Sequence, residues 1–229
     1  ASDVYKRQGG RLMELKFDHI IHYINQLNQF EFPGKLLKLH NGGKHHQFGT
    51  YNQLSYINGN YIELLDVEDK EKLKKVAKTE EGRVSFATKI AQDDFNQGFK
   101  TICLRTKDIE EVKATLQKKN IDVIGPIRME RENKKGDKVG WQLLYIADPS
   151  YNVKPPFFIQ WDESEAYKNE SLKDLYQKQF SIETLVVSSE KRNLTVDNWI
   201  KWYDMKVVDE TDTYLSLIHI SEPTRRYAI

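Results

Sequence analysis

The run Gly42-Gly43-Lys44-His45-His46-Gln47-Phe48-Gly49-Thr50-Tyr51-Asn52 leads, across Asn58-Gly59-Asn60, into Tyr61-Ile62-Glu63-Leu64. Asn-Gly between two apolar runs favours a tight hairpin, because both residues accept a positive φ. Residues 50–57 and 61–66 are therefore predicted as paired strands. Working upstream, residues 36–40 read as a short strand stopping at Asn41-Gly42-Gly43, where the two glycines are expected to supply positive backbone dihedrals. Residues 25–32 are polar with spaced Leu and Phe and end at Pro33-Gly34, a short helix or a loop. Residues 15–24, rich in β-branched and aromatic side chains, read as a strand. Downstream lie a charged helical stretch over 67–78 and a more apolar helix over 83–92. Acids interleave with the lysines of the first helix, so it reads as a solvated face and not as a nucleic-acid surface.

The same order then returns. A strand over 99–106 precedes a helix over 109–119, whose Ile109, Val112 and Leu116, followed by Ile121, fit one apolar face beside a capping Asp108. Strands follow over 123–132, 139–147 and 156–161. Residues 164–178 read as a connecting helix, 182–187 as another strand and 196–203 as a helix bearing Trp199 and Trp202. The expectation is an α+β protein of two strand-helix-three-strand modules, 13–93 and 97–162, with the start of a truncated third within 163–214. Trp199 and Trp202 would then lack part of their cover.

The two ends read differently. Asp3-Val-Tyr-Lys-Arg-Gln8 and Leu215-Ser-Leu-Ile-His-Ile220 can be encoded by DNA stretches that are reverse complements of each other. They resemble translated sequencing-library adapters, so residues 1–8 and 215–229 are set aside from the fold reading. On this reading Met13 is the natural start and the natural end lies beyond the sequence.

Composition narrows the function classes. The 229 residues carry 35 Lys+Arg against 34 Asp+Glu, a net charge of +1, which leaves no electrostatic footprint for nucleic acid or a lipid surface. One cysteine, no signal-like start and no long apolar run point to the cytoplasm and away from a membrane. Cys103 lies in an apolar strand with no patterned partner and reads as a buried, inert thiol. No His-Glu-x-x-His, phosphate loop, Gly-x-Gly-x-x-Gly or Gly-x-Ser-x-Gly elbow is present, which removes the metalloprotease, P-loop, dinucleotide-fold and α/β-hydrolase classes.

Histidine placement carries the chemical hint. Outside the set-aside tail, all the histidines (His19, His22, His40, His45 and His46) fall within one short span. Histidine binds metals and moves protons near neutral pH. Alternation along strands sends His19 and His22, and likewise His45 and His46, to opposite faces, so at most one of each pair shares a cavity.

Four stretches together resemble the glyoxalase-like branch of the vicinal oxygen chelate (VOC) superfamily. Phe17-Asp18-His19-Ile20-Ile21 looks like the first strand. The 42–52 run with Tyr61-Ile62-Glu63 resembles a Gly-Gly-x-His-x-x-x-Gly-Thr-x-Asn and Tyr-x-Glu pattern. Leu104-Arg105-Thr106-Lys107-Asp108-Ile109, then Gly125-Pro126 with Met129 and Arg131, and finally Trp141-Gln142-Leu143 and Pro156-Phe157-Phe158-Ile159-Gln160-Trp161-Asp162 continue it through the second unit. The resemblance implies paired βαβββ modules, as in glyoxalase and bleomycin-resistance folds, whose sheet curves around a cleft. It implies a divalent metal there, Zn, Mn, Fe, Co or Ni, with ligands on the first and last strands of each module. His19 and Glu63 take those positions in the first module, and His45 would complete a three-ligand site. In the second module the matching positions fall on Thr101 and Gln160, a departure from the four-ligand pattern.

From the same resemblance, Glu63 and His45 are the expected proton-moving groups, and Asn52, Arg131, Trp141 and Gln160 the expected substrate contacts. Bland readings stand beside these. Glu63 could be an exposed strand residue, Asn52 could shape a turn, Arg131 could pair with Glu130 or Glu132, and Trp141 could be core. The expected activity is metal-dependent lyase, isomerase, hydrolase or dioxygenase chemistry on a small oxygen-rich molecule. The alternative is a metal-free protein that binds or sequesters a small molecule in the same cleft. Partners are a small-molecule substrate or ligand, with homodimer pairing left open.

Overall fold

The computed structural model describes residues 12–132, 136–149, 151–219 and 221–229. Strand β1 (Lys16–Tyr23) runs through the middle of an eight-stranded sheet. On one side it pairs in parallel with β4 (Asn60–Val67), and on the other it pairs antiparallel with β5 (Gly98–Arg105). The first module is completed by β2 (His40–His45) and β3 (Thr50–Ile57), the second by β6 (Val123–Glu132), β7 (Lys138–Ile146) and β8 (Phe157–Trp161). The sheet order β2-β3-β4-β1-β5-β8-β7-β6 sets the modules edge to edge through β1 and β5. The sheet curls until its two edges meet, and Arg131 on β6 donates to the Gly42 carbonyl on β2 at 3.2 Å.

Local chemistry accounts for the elements. Asn58 and Gly59 both take positive φ, at 38° and 88°, and turn β3 into β4 as an Asn-Gly hairpin should. Helices α1 (Lys70–Val76), α2 (Phe86–Gln92) and α3 (Ile109–Lys118) begin at Asp69, Ser85 and Asp108, whose side chains accept from backbone N–H groups of the first turn. The face of α3 predicted from the sequence is the buried one: Ile109, Val112 and Leu116 pack with Phe17, Leu104, Leu144 and Phe158. On the other side of the sheet, Leu73 of α1 and Ile90 of α2 close over Tyr23, Leu65 and Cys103.

Two expectations change. Residues 36–40 do not form a strand. Pro33–Lys35 makes a 3-10 turn with Gly34 and Lys35 at positive φ, and pairing begins only at His40. Gly42 and Gly43 lie inside β2, and neither has a positive φ. Gly42 is needed for space instead: a Cβ there would stand 1.9 Å from Asn52 Oδ1.

After α4 (Glu165–Leu172), a third strand-helix-three-strand unit follows: β9 (Thr184–Val186), α5 (Arg192–Tyr203), β10 (Met205–Glu210), β11 (Leu215–His219) and β12 (Glu222–Ala228). Its order β10-β11-β12-β9, with β12 parallel to β9, repeats that of the first two modules. The C-terminal segment set aside in the sequence reading thus supplies its last two strands, while residues 1–8 lie outside the described residues. As a result Trp199 and Trp202, expected to be left bare, are each 1% exposed, packed in one core with Leu217 and Tyr227. No helix among the described residues is long and apolar enough to cross a membrane.

Candidate active site

The register of β1 against β5 breaks between Phe17 and His19, which makes Asp18 the extra residue of a bulge. Asn60 Nδ2 and Arg105 Nη1 donate to the Phe17 carbonyl at 2.6 and 2.7 Å and so satisfy the interrupted ladder. In a regular strand, consecutive side chains point to opposite faces. Here the Asp18 carboxylate instead turns onto its neighbour, and His19 Nδ1 lies 2.7 Å from Asp18 Oδ2. The other ring nitrogen, Nε2, is 3.3 Å from Glu63 Oε2. Asn52 Nδ2 donates to Glu63 Oε1 at 2.8 Å, and Trp161 Nε1 donates to Asp18 Oδ1 at 3.3 Å. Tyr61 stacks on the imidazole with ring centroids 4.4 Å apart. A buried histidine is therefore held between two buried carboxylates, each with its own second donor.

The charges follow from these contacts. Burial opposes the charged form of Asp18, but His19, with Lys168 and Arg105 further off, holds the carboxyl down at about 2. Burial likewise opposes Glu63, and His19, His45 and Asn52 bring it to about 2. Burial pulls the His19 imidazole down, while Cys103, Asp18 and Glu63 push it up, and the result lies well above its ordinary value. Burial drives the Cys103 thiol itself up to about 12, so it is uncharged at neutral pH and the two carboxylates stabilise the imidazolium.

His19 and Glu63 face a cavity of about 70 Å³ on the concave side of the sheet. That space holds one or two waters or a few heavy atoms. His45, Asn52, Arg131 and Trp141 also line it. His45 Nδ1 is 3.1 Å from Thr50 Oγ1, and burial lowers its pKa, which keeps the ring neutral around pH 7. Trp141 packs against Trp161, with ring centroids 5.4 Å apart. The opposite wall comes from the second module and is apolar, built of Phe157, Ile159 and Trp161.

Gln160 lies outside this cluster. Its Oε1 accepts from the Ile109 N–H at 2.7 Å at the start of α3, because alternation along β8 turns it away from Ile159 and Trp161. Thr101 is buried on β5 opposite Ile21. Of the other histidines, His22 packs edge-on against Phe99, His40 lies beside Tyr56, and His46 is exposed. Among the described residues, one group of three donors has ligand atoms within 4.8 Å of one another: Asp18, His19 and Cys103. Neither Glu63 nor His45 is part of it.

Asp18 is the member that the sequence reading missed. Strand alternation placed Asp18 on the face away from His19, and no local residue pattern announces the bulge that brings it back.

A family model described as a glyoxalase-like domain matches residues 17–203. The crystal structure of a hypothetical protein from Staphylococcus aureus is similar at 57% identity and a TM-score of 0.91, over 94% of this chain and 85% of that one. A hypothetical protein from Bacillus halodurans C-125 aligns at 18% identity and a TM-score of 0.43, over 66% of this chain and 95% of that one. Methylmalonyl-CoA epimerase from Mycobacterium tuberculosis aligns at 11% identity and a TM-score of 0.40, over 66% and 90%. No curated protein matches the chain.

Proposed function

The chain belongs to the glyoxalase-like domain family, and on that premise we propose that it is an enzyme acting on a small oxygen-rich molecule at the His19–Glu63 wall of the inner cavity. The observation that carries this reading is the buried imidazole gripped by Asp18 through Nδ1 and facing Glu63 through Nε2. A carboxylate that fixes one nitrogen of a histidine orients the other for proton transfer or for metal binding. Glu63, ionised and held by Asn52, and neutral His45 on the same cavity wall are the proposed proton acceptors. Lyase, isomerase, hydrolase and dioxygenase chemistries all use such a centre, and the fold does not choose among them.

His19 and Glu63 are donors of the kind that a divalent ion of borderline hardness takes. His19 Nε2 and Glu63 Oε2 already lie 3.3 Å apart, with Asp18 and Asn52 as the outer groups that orient them. His45 is the proposed third ligand. A Zn, Mn, Fe, Co or Ni ion there would polarise the oxygens of a bound substrate. In its absence the chain's own residues still hold a proton at His19, keep Glu63 ionised, and exclude water behind Phe157, Ile159 and Trp161.

A second reading is a metal-free binding protein using the same cleft. The observation in its favour is the second module's apolar contribution to the cavity, where Phe157 and Ile159 stand in place of donors. Metal analysis by mass spectrometry separates the two. The untagged protein is reconstituted with each of the five metals beside His19→Ala and Glu63→Ala. Near-stoichiometric metal in the parent, lost in both variants, supports the metal-dependent enzyme. No retained metal in the parent overturns it and leaves the binding protein.

A further inference from the structure

A second, larger space of about 700 Å³ opens beside the inner cavity, between the sheet and α4. The two spaces share Leu54, Tyr61, Arg131 and Trp161 as lining, so these four residues stand at the boundary between them. The groove has a continuous aromatic wall. Tyr61 adjoins Tyr56 at 5.8 Å between ring centroids, and Tyr56 meets Tyr176 edge-on at 6.0 Å.

The groove is lined by charges of both signs, and several of them have partners. Arg105 is engaged by Glu165 at 3.1 Å and by the Phe17 carbonyl. Lys16 also reaches Glu165, and Asp18 is committed to His19 and Trp161. Two cations differ. Arg131 donates to the Gly42 carbonyl, and the Lys168 ammonium sits over the Trp161 ring, 3.1 Å from its centroid. Among the described residues, no carboxylate lies within ion-pair distance of either. Burial, with Arg105 and Arg131 nearby, brings the Lys168 amine down to about 8, against the opposite pull of Asp18 and Glu163. An anion placed between these two cations would relieve their mutual repulsion at little desolvation cost, since both are already partly withdrawn from water.

We infer that this groove takes the acid-bearing part of the ligand: an aryl compound carrying a carboxylate or phosphate, seated along Tyr56, Tyr61 and Trp161 with its anion between Lys168 and Arg131. The inner cavity then admits only the few atoms that react. This inference names the substrate class for the centre proposed above and rests on that reading for the chemistry, though not for the binding.

The test is isothermal titration calorimetry of the full chain with phenylacetate, phenyl phosphate and neutral phenylacetamide. At least one acid binds and the amide does not, and the acid that binds identifies the anionic group. Lys168→Met and Arg131→Met each weaken that acid by roughly tenfold, the loss of one charged contact, while Lys168→Arg keeps it and so separates charge from packing. Equal binding of the amide, unchanged acid binding in a Lys168→Met protein with parental circular dichroism, or no acid binding at millimolar concentration would each overturn the assignment. His19→Ala is titrated in parallel. Acid binding should survive there; acid binding by a parent protein that retains no metal after reconstitution defeats only the metal reading, and metal uptake without acid binding defeats only this one.

Discussion

One amide joins the carboxylate of Glu63 to the edge of the sheet: Asn52 Nδ2 donates to Glu63 Oε1 at 2.8 Å, while Asn52 Oδ1 accepts from the Gly43 N–H at 2.8 Å. Asn52→Ala strips one donor from a buried carboxylate and one acceptor from an edge strand. The expected loss is about 1–3 kcal/mol of stability in urea unfolding. Glu63 should also titrate at higher pH in the variant, visible by carboxyl NMR, and an unchanged Glu63 titration would contradict the arrangement.

Gly42→Ala should act through the same amide. A Cβ at 1.9 Å from Asn52 Oδ1 displaces the side chain. We expect about 1–3 kcal/mol of destabilisation, the range for overpacking, and much less additional effect in the Gly42→Ala/Asn52→Ala double variant. Simple additivity in that cycle would show that the two positions do not communicate.

The Asp18–His19–Glu63 cluster predicts the pH dependence of stability in metal-free protein. Asp18 and Glu63 lie at about 2 in the fold against ordinary values of 3.8 and 4.5. Their contribution is in place above the ordinary range and is lost as the pH falls through about 2. His19 is raised above 6.5, so its contribution is complete below 6.5 and is lost as the pH climbs through the folded value. Urea midpoints measured from about pH 2 to 10 should fall towards the acid end, and the margin of the parent over His19→Gln should shrink towards the alkaline end. His19→Gln should also shrink the acid fall.

Lys154 gives the opposite slope. Its ammonium is buried, donates to the Val84 carbonyl at 2.7 Å, and is pulled from 10.5 to about 8 by burial. Because the folded pKa is the lower one, this group adds stability as the pH rises from about 8 to 10.5 and costs stability below that window. Lys154→Met should flatten that rise and stabilise the protein at pH 7 by about 1 kcal/mol, after the lost hydrogen bond is offset. A destabilised variant at pH 7 would mean that the Val84 contact outweighs the burial of charge.

Cys103 is fully buried and its thiol is pushed up to about 12. Iodoacetamide at pH 8 should leave it unlabelled in the native protein and label it fully in urea. Native labelling at the rate of a free thiol would place the sulphur on an open path to the cavity.

Much of this architecture could be read from the residues alone. The Asn58-Gly59 turn, the apolar stripe of α3 and the return of strand-helix-three-strand order in the second module are local signals, and each of these elements formed where its pattern lies. His19, Glu63, His45, Asn52, Arg131 and Trp141 were named from sequence, and all line one cavity. What stayed hidden depends on register. Asp18 joins His19 only through a bulge, and Gln160 leaves the cavity because it falls one residue out of phase with Ile159. Gly42 was read as a dihedral requirement when it is a contact requirement, which is set by a side chain on the adjacent strand. Lys168 gave no signal at all, since a lysine on a polar helix looks solvated until Trp161 is found beneath it.

The two modules share one blueprint, yet the ionisable machinery lies mainly in the first, while the second lends Phe157, Ile159 and Trp161 as lining. The labour is thereby split: the first module is constrained atom by atom by proton and charge, and the second, apart from the Trp161 donor to Asp18 and the Arg131 guanidinium, mainly by volume. Exchanges of Ile159 for other aliphatic or aromatic residues should therefore reshape what the protein accepts while the Asp18–His19–Glu63 alignment stays as it is, whereas Trp161, the donor to Asp18, is tied to that alignment.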